Sequence, residues 1–136
     1  MDAAQALADL TEISSQIQAA VIFDQTGNVA GATLPNATRA EELARRAAEL
    51  LKQAETLRGG TAQPTQLEAA TSDGSVFVVR QNERRIVATT GPHPTTGLVF
   101  YDLKSALRGF AEPPPKPKRA PAKRAATTRK KKDASE

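Results

Sequence analysis

The chain of 136 residues has no cysteine and no tryptophan, a single histidine, a single tyrosine and four phenylalanines. Without cysteine, disulfides, thiolate nucleophiles and cysteine-based zinc sites are excluded. One histidine, His93, leaves no histidine-rich metal constellation to assemble. No stretch approaches the roughly 20 uninterrupted apolar residues that a membrane-spanning helix needs. The opening MDAAQALADLTE lacks the basic-then-apolar order of a secretory signal, so a cytoplasmic location is expected. Phosphate-binding loops are missing too. No pair of glycines with four residues between them leads into Lys-Ser or Lys-Thr, and no GxGxxG lies between a strand and a helix, so no nucleotide or other cofactor is expected.

What is present divides after Phe110, where apolar periodicity stops and a proline run begins. Residues 1–110 carry ten Lys/Arg against twelve Asp/Glu, a net −2, whereas residues 111–136 carry nine against three, a net +6. The basic character belongs to the tail. Two segments are expected: a folded domain over 1–110 and a disordered basic tail over 111–136. The tail has five prolines and no apolar side chain larger than alanine, too little to offset the entropy of ordering.

Within the first segment, Ala3, Ala6, Leu7, Leu10, Ile13 and Ile17 recur at helical spacing, with Asp2 and Gln5 as a capping box. AAVIFDQTGNVAGATL reads as two strands around a turn at Asp24–Asn28, with Val21 and Phe23 on one face and Ile22 on the other. After Pro35, Ala40, Leu43, Ala44, Ala47, Leu50, Leu51, Ala54 and Leu57 form the stripe of a long helix, begun by Thr38 with Glu41 and stopped by Gly59. Glu41 with Arg45 and Glu42 with Arg46 are favourable i,i+4 pairs. Three strands follow, with turns at Asp73-Gly74 and Asn82-Glu83; the unbroken run Val76–Val79 suggests a strand covered on both faces. GLVFYDLKSALRGF returns to helical spacing. The order α-β-β-α-β-β-β-α describes an α+β domain in which short turns make one antiparallel, meandering five-stranded sheet packed between helices.

Together these strings resemble the roadblock family, which includes dynein light chain roadblock and bacterial polarity-GTPase regulators. The resemblance rests on AAVIFDQTGNVAGAT, the Glu/Ala/Leu/Arg-rich central helix, GSVFVVR before RRIVATT, and GLVFYDLKSAL, and spans residues 2–110. It implies a homodimer with a ten-stranded sheet, joined through residues 38–58 and about 66–72. Its contacts would include Leu43, Ala44, Ala47, Leu50, Leu51, Ala54, Leu67 and Ala69. It also implies a Ras-like small GTPase as partner. The basic tail lies outside the family pattern.

From the residues alone, the central stripe packs either on its own sheet or on a twin helix. The face carrying Glu42, Arg45, Arg46 and Glu49 is either a partner contact or a solvated surface. Nothing supplies a positioned nucleophile with its base, and an enzyme is not expected. His93, between prolines, reads as an exposed loop residue; Asp24 and Asp73 read as turn formers. In the tail, Lys116, Lys118, Arg119, Lys123, Arg124, Arg129, Lys130, Lys131 and Lys132 resemble the basic tails of histone-H1-like and bacterial nucleoid proteins. They either neutralise a nucleic acid without reading its sequence, since no aromatic interleaves them, or touch anionic membrane lipid, or only solubilise the chain.

Overall fold

The computed structural model describes residues 2–57, 59 and 65–111. Helix α1 (Ala3–Ile13) leads into the hairpin β1 (Ile17–Asp24) and β2 (Val29–Ala32); α2 (Ala37–Leu57) is followed by β3 (Gln66–Thr71), β4 (Gly74–Gln81), β5 (Arg84–Thr90) and α3 (Thr96–Ala111). The element order matches the expectation. All neighbouring strands are antiparallel, in the order β2-β1-β5-β4-β3. This departs from a simple meander, because β5 returns to pair with β1 and so separates β2 from β3. At 1.5 Å per residue the 21-residue α2 is about 31 Å long. Five strands about 4.8 Å apart span only about 19 Å, so the helix is long enough to carry the chain from one sheet edge to the other.

The alternation of β-strand side chains creates two cores. On one face Ala20, Ile22, Phe77, Val79, Ile86 and Ala88 meet Leu7 and Leu10 of α1 and Val99, Leu103 and Leu107 of α3. On the other, Val21, Phe23, Val78 and Val87 meet Ala40, Ala44, Ala47 and Leu51 of α2. Val21 and Phe23 therefore share a face opposite Ile22, as their spacing requires. Each fully buried large side chain, such as Phe23, Ile22 or Ile86, stabilises the fold by about 1.5–3 kcal/mol. Phe77 and Phe100 add an edge-to-face ring contact at 5.0 Å.

Several local expectations are corrected. Ile13 is 69% exposed and Ile17 belongs to β1, because α1 ends at Ser14, whose backbone N–H donates to the Leu10 carbonyl. Asp2 caps α1 by accepting from the Gln5 N–H, but the Gln5 side chain donates to Asp9 rather than back to the cap. The α2 cap is Asn36, whose Oδ1 accepts from Arg39 N–H, so the helix starts one residue ahead of Thr38 and no Thr38–Glu41 box is needed. Gly59 does adopt a positive φ beyond α2. Gly31 lets α1 rest on β2: a Cβ there would lie 2.7 Å from the Ala3 Cβ. Among the described residues, no helix is long and apolar enough to cross a membrane.

Candidate functional site

Helix α2 spends its smallest side chains on its own sheet. Ala40, Ala44, Ala47 and Leu51 are buried in the core against Val21, Phe23, Val78 and Val87. Three residues expected at a dimer contact, Ala44, Ala47 and Leu51, are buried against the sheet of their own chain. The physical reason is geometric: alanines let the helix axis approach a sheet of valines and phenylalanine closely. Leu43, Leu50 and Ala54 flank that buried stripe and are only half-buried, and Leu57 at the end of α2 is 87% exposed.

Coverage of this sheet face is uneven. The main contacts of α2 are with β1, β2 and β5. Over β3 and β4, the same face carries Leu67, paired with Val78, and Ala69, paired with Val76. Leu67, Ala69 and Val76 remain half-buried. Strand β3 bonds to β4 along one side, and its other edge has no strand partner among the described residues. The flank of α2, the α2-side surface of β3 and β4, and the open β3 edge together make an apolar, hydrogen-bonding surface suited to another protein. Val76 was not singled out in the sequence, where the run Val76–Val79 implied cover on both faces. Phe77, Val78 and Val79 have that cover, and Val76, next to the turn, does not.

The charged side of α2 carries Glu42, Arg45, Arg46 and Glu49, of which Arg45, Arg46 and Glu49 are exposed and Glu42 half-buried. Arg46 donates to Glu42 at 3.0 Å, an exposed i,i+4 pair worth at most about 1 kcal/mol. Arg45 and Glu41 instead line a shallow recess against the β1–β2 turn. Near the far end of α2, Lys52 and Glu55 face Arg80 and Arg85 across a groove. Burial, and then the neighbouring Arg80, pushes the Arg85 guanidinium below its ordinary value; it donates to the Asn82 carbonyl.

The residues weighed as chemical groups occupy structural positions. Asp24 Oδ1 accepts from the Thr26 hydroxyl at 2.7 Å and from the Thr26 and Asn28 N–H groups, closing the first hairpin turn. The Thr26 hydroxyl bond, followed by the Asn28 backbone bond, holds its carboxyl below the usual aspartate range. Asp73 sits in the β3–β4 turn, its N–H donating to the Thr71 hydroxyl. His93 is exposed, with a positive φ, in the loop before α3. Among the described residues, no three His, Asp or Glu side chains gather as a metal site. The nine basic tail residues from Lys116 to Lys132 lie outside the described residues.

A scan against protein-family models and a search of curated proteins return no match. Solved structures do match. A roadblock/LC7 domain from Streptomyces avermitilis superposes with a TM-score of 0.71 at 15% identity, covering 80% of this chain and 94% of that one. The gliding protein MglB from Thermus thermophilus gives 0.67 at 17% identity, over 80% and 85%. Myxococcus xanthus MglB gives 0.57 at 14%, over 76% and 84%. The fold is that of roadblock/LC7 domains, an α+β layer with one five-stranded antiparallel sheet.

Proposed function

We propose that this protein is a non-enzymatic, cytoplasmic adaptor: a homodimer whose folded body binds a Ras-like small GTPase or a related protein, and whose basic tail attaches it electrostatically to a polyanionic surface. The observation that carries this reading is the open β3 edge beside the half-buried Leu50, Leu67, Ala69 and Val76. A second copy placed edge to edge would continue the sheet to ten strands and cover that apolar surface. Leu43, Leu50, Ala54, Leu67 and Ala69 are the dimer residues that retain accessible area. The GTPase follows from the roadblock resemblance, with Glu42, Arg45, Arg46 and Glu49 on the surface offered to it. The body would act by holding or reorienting the partner's switch loops.

Sedimentation of the full chain tests the dimer, with Leu50→Lys and Leu67→Lys together expected to shift it to monomer. Capture of purified small GTPases, loaded with GDP or a non-hydrolysable GTP analogue, tests the partner. A monomeric wild type that captures neither loaded form overturns the proposal.

The charge split of −2 against +6 favours a second reading, a nucleic-acid-associated protein whose body only dimerises while two tails supply avidity. It predicts duplex binding without sequence preference, lost when residues 112–136 are removed. Log affinity would fall with log salt by about 0.9 per phosphate neutralised.

A further inference from the structure

Helices α1 and α3 lie side by side on the sheet and leave between them a groove of about 150 Å³. At roughly 30 Å³ per water molecule, this is room for one slender side chain. Its walls are mostly apolar, with Leu10, Ala106 and Gly109 among them, and Ile13, 69% exposed, stands at its rim. Two carboxylates line it. Asp9 is half-buried and accepts from the Gln5 side chain at 2.9 Å. Asp102 is only 5% exposed, and among the described residues no hydrogen bond or ion pair reaches its side chain. The nearest basic residues on its own helix do not serve it: Arg108 donates to the Ser105 hydroxyl, and Lys104 makes no ion pair among the described residues.

Asp102 offers the groove a carboxylate with no protein partner among the described residues, and neither of its oxygens is among the fully buried unpartnered atoms, so a cation entering the groove can reach it. The groove therefore has the chemistry of a site for a cation on an aliphatic stem. We propose that it receives the chain's own basic C-terminal segment, with the ammonium group of Lys116 or Lys118 placed at Asp102 and Asp9.

The geometry of the exit favours this occupant. Helix α3 ends at Ala111, two residues beyond Gly109 at the near end of the groove. From Ala111 back to Asp102 is nine helical residues, about 14 Å. At the polyproline II rise of about 3.1 Å per residue, a length of five residues such as 112–116 could reach about 16 Å, and Lys118 about 6 Å further. Each of Pro113, Pro114, Pro115 and Pro117 has a ring that fixes φ, which lowers the entropy this stretch has to lose on binding. A tether this short holds the lysines at millimolar effective concentration, so a weak contact is populated. The contact masks part of the +6 tail and competes with any polyanion for the same lysines. It holds whether or not the body docks a GTPase.

The test is zero-length carbodiimide cross-linking of the full chain, using a mixture of isotopically light and heavy protein read by mass spectrometry. The expected result is Lys116 or Lys118 joined to Asp102 or Asp9 within one chain, lost in the Asp9→Asn, Asp102→Asn double variant. Links spread evenly to exposed carboxylates such as Asp73 and Glu83 overturn the proposal, as do links mainly between light and heavy chains, which would assign the groove to a second copy. Should the double variant fold poorly, Lys116→Gln with Lys118→Gln leaves the body untouched. In that variant the amide resonances around Ile13 and Asp102 are expected to shift from their wild-type positions, and identical spectra sink the idea.

Discussion

Ala47→Leu separates the two roles that a stripe on α2 can play. Ala47 is 3% exposed, in the cluster with Val21, Phe23, Val78 and Val87. Three added carbons have no space there, and overpacking of this kind costs about 1–3 kcal/mol. For a folded part of about this length, 1 kcal/mol moves the thermal midpoint by about 4 °C. The expected loss is therefore about 4–12 °C, seen by circular dichroism, and equal in size at every protein concentration because it acts within one chain. Leu50→Lys is the control: the lysine stem covers much of the same half-buried surface, so it should cost under about 1 kcal/mol within the monomer while weakening self-association. The reasoning is refuted if Ala47→Leu leaves the midpoint unchanged and alters only the sedimentation behaviour, for that places Ala47 between chains.

Gly74→Ala should destabilise by more than about 1–2 kcal/mol, the cost of a left-handed backbone for an L-residue, because its φ is +152° and a Cβ would lie 2.1 Å from the Thr90 carbonyl oxygen; urea unfolding measures it. Asn36→Ala removes the cap of α2 and should cost about 1 kcal/mol by the same measurement, whereas Thr38→Ala should cost less. Asp24 has a folded-state carboxyl held below its ordinary value near 3.8, so its stabilisation is complete above that value and disappears as pH falls through the lower folded one. Asp24→Asn should flatten this acid limb, which urea midpoints taken from neutral to strongly acidic pH would show.

The elements and their order were legible in the sequence because each has a short-range cause. Helical spacing from Ala40 to Leu57, alternation through Val21, Ile22 and Phe23, and turn residues at Asp24–Asn28 and Asn82-Glu83 act over a few residues. The opposite faces of Val21 and Ile22 follow from strand geometry alone. Which strands lie side by side does not follow. The pairing of β5 with β1 joins residues sixty or more positions apart and is decided by the two cores closing together. The same holds on α2, where periodicity marks one apolar stripe without dividing it. Only the packed sheet shows that Ala44, Ala47 and Leu51 are already covered while Leu43, Leu50 and Ala54 keep accessible surface. The burial of Asp102 likewise follows only from α1 packing beside α3. Burial depends on what the rest of the chain places around a residue, and a linear pattern records only what that residue prefers.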